Sequence, residues 1–314
     1  MKKLMLLTLM PLLMAGCGGN TSTATKDYKD LRYFVPTGAP SIAMAAFADL
    51  KDFETTSVPK NISDDMALNK VDVAVLPTNV GVAAIKKSGL PYKMLCTITF
   101  GNFYLAATGN DSDGVIGEDD YIASFEQGAV PDKVFHYVYG NTLDNALHYV
   151  GAASDAARCL ALGTFDDGET VHNVDYVLVA EPLLTNNLKQ NPNASVYANL
   201  TEEYKTKSGK SYLPQASVFV KNILDKETVV EPIYNLINSS VNHMINDPDS
   251  IATYMNKIDN PKEIFSVPTA TAIEVTKKSN AMGFGCKRAS EIKDDVNQFL
   301  SIFGGITVDD QIVY

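Results

Sequence analysis

Apolar and polar positions along this chain alternate between a strand period and a helix period, and one form of the switch occurs twice. Residues 33–47, YFVPTGAPSIAMAAF, read as a short strand, then Gly38-Ala39-Pro40, then a helix. Residues 124–138, SFEQGAVPDKVFHYV, read as a strand end, then Gly128-Ala129-Val130-Pro131, then a helix whose buried stripe is Val134, Phe135 and Val138. Gly128 tolerates backbone angles that other residues avoid. Pro131 suits a first helical turn, where its missing N–H would have no partner in any case. Asp132 complements the helix dipole, and Gly140 supplies the stop. Each copy is followed by an Asp-led apolar run ending in proline, DVAVLP at 72–77 and DYVLVAEP at 175–182. The pattern predicts two similar α/β lobes facing each other across a cleft. Turns of this kind aim backbone N–H groups out of the end of a sheet, where a ligand can be held.

The remaining elements fill in this plan. Residues 41–50 are expected as the first helix, with Ile42, Ala46 and Leu50 on one face, and 53–58 as a strand. A short helix over 63–69 takes Ser63 as its N-cap. The apolar run 71–76 suits a strand buried on both faces, followed by a helix over 79–87. Strands at 92–100 and 103–108 flank Gly101-Asn102, read as a turn. Phe100, Asn102, Phe103 and Tyr104 are read as core and hinge. The loop signal GNDSDGVIGEDD at 109–120 places the first crossing between lobes near its start. The second lobe then runs as strand 121–125, helix 131–139, strand 146–150, a helix capped by Ser154 and stopped by Gly163, strand 174–179 and helix 182–190. The polar stretch 201–210 reads as a surface excursion. Residues 211–220, SYLPQASVFV, return the chain to the first lobe. Ile233, Leu236, Ile237, Val241, Met244 and Ile245 form one helical face, and Ile292, Val296, Phe299, Leu300 and Phe303 another. The domain plan is 27–110 with 214–314 as lobe 1 and 111–213 as lobe 2. Two crossings give a hinge.

Composition narrows the function. The net charge of −11 argues against nucleic-acid partners. Three cysteines, Cys96, Cys159 and Cys286, sit in apolar contexts and read as buried thiols. His136, His148, His172 and His243 have no metal spacing with them, so no metal and no cofactor are expected. Ahead of the folded part, Lys2 and Lys3 precede a short apolar stretch at 4–13, too short to span a membrane. It ends in Leu13-Met14-Ala15-Gly16-Cys17, which resembles the lipobox of bacterial lipoproteins, with Met14 in place of the more usual leucine. The resemblance implies that residues 1–16 are a signal peptide and that Cys17 carries the lipid, palmitate included. Residues 17–26 then serve as a tether to the outer face of the bacterial cell membrane, or within the periplasm where an outer membrane exists.

Taken together, the lipobox, the Gly-Ala-Pro turn, DVAVLPTN, SFEQGAVPDKV, DYVLVAEP, LPQASVFV and the closing GGITVDDQIVY resemble the substrate-binding lipoproteins of bacterial ABC transporters. The branch is the thiamine-precursor, nitrate, sulfonate and taurine-binding type, with the type II periplasmic-binding fold. The order and spacing of the motifs carry the likeness across nearly the whole mature chain. The closing segment departs from the more proline-containing family ending. By position, the resemblance implies that Thr37, Gly38, Ala39, Ser41, Thr78, Asn79, Gln127, Gly128, Ala129 and Glu181 contribute to the ligand cleft. It also implies an ABC permease as partner and a monomeric protein.

Two solute classes remain open. Paired helix N-termini suit a small oxyanion. The absence of arginine among these positions, with Asp132 and Glu181 near them, suits a neutral or cationic heterocycle such as a thiamine-precursor pyrimidine. A surface sensor or adhesin, or a biosynthetic enzyme on the same fold, are the rival functions. The enzyme reading lacks a Ser-His-Asp order, a metal cluster or a phosphate loop; Gly283-Phe284-Gly285 lacks the third glycine of a dinucleotide motif. Cys17→Ser should abolish incorporation of labelled palmitate by cells expressing the full chain. Labelling that persists in this variant would overturn the assignment of Cys17.

Overall fold

The computed structural model describes residues 27–110 and 113–314. The expected signal peptide, Cys17 and the tether lie outside the described residues. In chain order, β1 (Tyr33–Pro36) leads to α1 (Ala39–Ala43), β2 (Phe53–Thr56) to α2 (Pro59–Ala67), and β3 (Val73–Pro77) to α3 (Thr78–Ser88). β4 (Tyr92–Thr99) and β5 (Phe103–Ala107) follow, then β6 (Ile122–Phe125), α4 (Val130–Tyr139), β7 (Leu147–Val150) and α5 (Ala153–Leu162). A small hairpin of β8 (Thr164–Asp166) and β9 (Val171–Asn173) precedes β10 (Tyr176–Ala180), α6 (Leu183–Leu188), β11 (Ser195–Asn199) and α7 (Leu200–Ser208). The chain closes with β12 (Ala216–Lys221), α8 (Glu231–Asn246), α9 (Ile251–Met255), α10 (Pro261–Phe265), α11 (Thr269–Lys277), β13 (Phe284–Arg288) and α12 (Lys293–Ser301).

The strands form two mixed sheets, ordered β13-β4-β12-β3-β1-β2 and β11-β5-β10-β6-β7. In the first, β1 is parallel to β2 and β3, while β12 lies antiparallel between β3 and β4, with Val218 opposite both Val75 and Cys96. Helices cover both faces, so β3 and β12 are buried almost end to end and read as continuous apolar runs. Alternation divides their side chains. Val73, Val75 and Val218 pack with Ile42, Ile233 and Ile237. Ala74, Leu76 and Phe219 join Val82 and Phe299 in a core that continues beneath the second sheet. Cys96, Cys159 and Cys286 are buried and unpaired.

Several expectations shift for identifiable reasons. Pro59, pre-set for a helix start, opens α2 four residues before Ser63, which therefore does not cap it. α5 begins at Ala153 with Ala152 at the cap position, and no side chain caps it. The first helix is short: after Ala43 the chain tightens into a 3-10 turn, Ala45–Phe47, that buries Phe47. Residues 201–210 are not a surface excursion. Asn199 accepts from the N–H groups of Thr201 (3.0 Å) and Glu202 (3.3 Å) and starts α7, which buries Leu200 and Tyr204. An Asn followed three residues later by Glu is a capping-box signal, and it marks this helix in the sequence.

The largest correction concerns β5. The sequence reading placed it with lobe 1, joined to β4 by a turn at Gly101-Asn102. In the structure β5 is interior to the second sheet, with Leu105 opposite both Leu178 and Ala198. The chain therefore passes between the sheets at residues 100–102, ahead of the loop at 109–120. Gly101 has φ 94°, and a Cβ there would sit 2.4 Å from the Thr201 hydroxyl oxygen, so both conformation and space require glycine.

Gly81, inside α3, marks the packing of that helix on β12. An added Cβ would lie 2.1 Å from the Phe219 ring, which is fully buried. Gly81→Ala is expected to lower unfolding free energy by about 1–3 kcal/mol through overpacking, despite alanine's better helix propensity. Urea denaturation checks this, and an unchanged or raised midpoint would contradict the packing of α3 on β12.

Candidate functional site

Strand direction determines what the two sheets present to each other. At one edge of the first sheet lie the C-terminal ends of β1, β3 and β4 and the N-terminal ends of β12 and β13. At one edge of the second lie the start of β5 and the ends of β6, β7, β10 and β11. Residues 100–102 join the end of β4 directly to the start of β5, so these edges face one another. Glu181, just past β10, is tied to this crossing: its N–H donates to the Asn102 carbonyl (2.9 Å), and the Asn102 side-chain amide donates to its carbonyl. On the β10 side of the crossing, the ends of β1 and β3 oppose the ends of β10 and β6.

The nominated residues occupy these ends in two groups. Thr37, Gly38, Ala39, Ser41, Thr78 and Asn79 lie on the first edge, and Gln127, Gly128, Ala129 and Glu181 on the second. Among the described residues no hydrogen bond joins the groups. Gly38, at φ 94°, is the N-cap of α1, and the Ser41 hydroxyl donates to its carbonyl (3.0 Å), so neither Thr37 nor Ser41 caps the helix. The Thr37 N–H donates to Thr56 across to β2 (2.9 Å). Ala39 is buried. Thr78 is fully buried and its hydroxyl meets that of Ser217 at 2.7 Å, which turns it from the cleft into the sheet; it does not cap α3.

Asn79 differs, because its side-chain oxygen is buried without a hydrogen-bond partner. The same holds for Gln215 Oε1, Thr99 Oγ1 and Asn102 Oδ1. Gln215 and Thr99 are neighbours through a backbone hydrogen bond (3.0 Å), and the Gln215 carbonyl accepts from the Thr78 N–H (3.0 Å). Four unpartnered oxygens therefore border the start of α3 and the crossing, and a buried acceptor left in this state costs about 1–3 kcal/mol until a donor reaches it. Sequence reading quoted LPQASVFV without singling out Gln215. The signal was a polar residue directly ahead of an apolar strand that returns to the hinge.

At the 127–129 turn of the second edge a carboxylate already occupies the outward N–H, while Lys133 and His136 line the adjoining cavity. Gly128, at φ 79°, aims its N–H as the turn predicts, but Asp132 Oδ2 already accepts from it (2.8 Å). Asp132, itself buried, takes a second bond from the Tyr149 hydroxyl (2.6 Å) and lies 3.2 Å from His136. Gln127 is exposed and, with Gly128 and Asp132, lines a cavity of about 370 Å³. Ala129 is the N-cap residue of α4. Glu181 is buried, and its carboxylate accepts from the N–H (2.9 Å) and hydroxyl (2.6 Å) of Thr185, anchoring α6. Burial pushes its carboxyl above the ordinary range, opposed by the Thr185 bonds and the Lys278 charge. Burial also raises Glu126 beside the same turn. Tyr104, near both Glu181 and Glu202, is pushed up to about 12, chiefly by burial.

No protein-family model matches the chain, and no curated protein matches its sequence. Solved structures do. An ABC transporter protein from Parabacteroides distasonis is 19% identical with a TM-score of 0.70, covering 90% of this chain and 98% of that one. The periplasmic aliphatic sulphonate binding protein SsuA from Escherichia coli is 10% identical with a TM-score of 0.63, over 90% and 97%. A Candida albicans protein described as having the generic periplasmic binding protein fold is 15% identical with a TM-score of 0.54, over 90% and 92%. The fold is accordingly the two-lobed type II periplasmic-binding fold, and at these identities the likeness carries the fold alone.

The state of Glu181 has a pH signature. A carboxyl raised in the folded state binds its proton more tightly folded than unfolded. Its contribution to stability is therefore full below the unfolded value of about 4.3 and is lost as pH rises through the raised folded value. Glu181→Gln should remove that fall from a plot of thermal midpoint against pH. Parallel profiles for the two proteins would show that Glu181 does not titrate above the ordinary carboxylate range.

Proposed function

We propose that this chain is the solute-binding component of an ABC importer. A small solute enters between the facing sheet edges and bridges the turns at residues 37–41 and 78–79 with the turn at 127–129. The lobes then rotate about the two crossings, and the loaded form docks on a membrane permease powered by an ATPase. The solute shifts the population toward the closed form only by its extra affinity for that form. The lipid on Cys17 keeps the monomeric protein near the permease. The observation that carries the reading is the placement of two sets of strand-to-helix turns on opposed edges joined by two short crossings. The ABC-transporter and sulphonate-binding names of the fold neighbours support it.

Within this reading the solute is a neutral or cationic heterocycle bearing N–H donors, of the kind a thiamine-precursor pyrimidine represents. The unpartnered oxygens of Asn79, Gln215 and Asn102 call for donors. The Gly128 N–H that would serve an oxyanion is occupied by Asp132. No arginine or lysine is among the nominated residues, and Arg32 and Arg288 are engaged by Asp72 and Glu231.

A thermal-shift screen of the domain from residue 25 onward tests this against a panel of sulfonates, nitrate, bicarbonate, pyrimidines, thiamine precursors, amino acids and short peptides. A ligand at about 100 times its Kd adds roughly 2.7 kcal/mol, a shift of a few degrees for lobes of this size. An aminopyrimidine is expected to give such a shift, and Asn79→Ala and Gln127→Ala each to weaken its binding about tenfold. A sulfonate hit with no heterocycle hit would overturn the solute class. A hit untouched by either substitution would overturn the site.

A further inference from the structure

On the other side of the crossing from the nominated turns, the start of β13 faces the end of β11 across a second groove of about 660 Å³. Both lobes and both crossings build it. Three lysines line it, Lys205, Lys278 and Lys287, against a single carboxylate, Glu202, which Lys205 already engages at 2.9 Å. Lys278 reaches the Thr185 hydroxyl (3.2 Å) and Glu274 (3.5 Å). The Lys287 ammonium has no hydrogen-bond or ion-pair partner among the described residues. On a chain of net charge −11 this is a local excess of positive charge. The floor is aromatic: Phe100 and Tyr212 pack at 4.9 Å between ring centroids, flanked by Phe284 and Tyr104. Thr201, also in the lining and almost fully buried, holds a hydroxyl with no hydrogen-bond partner. Glycines let the start of β13 pack directly against the crossing, since a Cβ on Gly285 would strike the Phe100 ring at 2.5 Å and one on Gly283 the Gly101 carbonyl at 2.2 Å.

We propose that this groove is a second small-molecule site, for an organic anion with a flat apolar body, of the aromatic carboxylate class. The rings contact the body of the ligand, and Lys287 takes its carboxylate. The site lies on the opposite side of the crossings from the turns nominated for the cleft.

The test is equilibrium dialysis of the domain from residue 25 onward against 1-naphthoate, whose free concentration is read by its emission in the protein-free chamber. Saturable binding of one naphthoate per chain is expected. Lys287→Glu should weaken it at least tenfold, and Asn242→Trp, which fills the groove from an exposed position on α8, should abolish it. Gln127→Ala should leave it unchanged. Both groove substitutions are at exposed positions, and an unaltered thermal midpoint confirms that they fold. Absence of saturable binding up to 10 millimolar, or binding that Lys287→Glu and Asn242→Trp leave intact, would overturn the site. Loss on Gln127→Ala would place the naphthoate in the cleft and equally overturn it.

Discussion

The insertion of β12 between β3 and β4 is the constraint on which the molecule depends. The strand returns from the second lobe and pairs antiparallel on both sides, so both crossings sit inside the first sheet rather than at its rim. A hinge so placed has open edge on either side. The ends of β1 and β3 face the second lobe on one side, and the start of β13 faces it on the other. The buried pair of Lys221 and Asp72 (2.8 Å) fastens the far end of β12 to the start of β3, and the Thr78–Ser217–Thr97 hydroxyl chain fastens its near end. In a buried pair of this kind desolvation offsets much of the attraction.

Electrostatics then distinguish the two sides of the hinge. Around the turn at 127–129 and Glu181, two acids, Asp132 and Glu181, are turned inward and satisfied by the chain itself, through Gly128 and Tyr149 in one case and Thr185 in the other. That leaves amide and hydroxyl oxygens as the groups still lacking partners at the opposing edge. Around β13 the balance reverses, with lysines above an aromatic floor. One fold therefore offers two surfaces of different chemistry, separated by a few residues of crossing chain.

Much of the architecture was legible locally. Proline-bounded apolar runs marked β1, β3 and β10, helical spacing marked α8 and α12, and the two Gly-containing turns marked the helices that follow them. Site assignments were less secure, because a residue's place beside a turn does not say where its side chain goes. Thr78 sits at the expected turn yet points into the sheet, Glu181 turns its carboxylate to Thr185 in the helix that follows it, and Gln215 borders the start of α3.

The sequence by itself determined what is local in its physical cause: which segments are apolar enough to be buried, and the two-lobed α/β class that their order implies. Only the tertiary structure decided which sheet β5 joins, that α7 packs against the second sheet, and that Asp132 occupies the Gly128 N–H. Strand pairing and side-chain hydrogen bonding are settled between segments far apart in the chain. The same apolar run satisfies either sheet until its neighbours are in place.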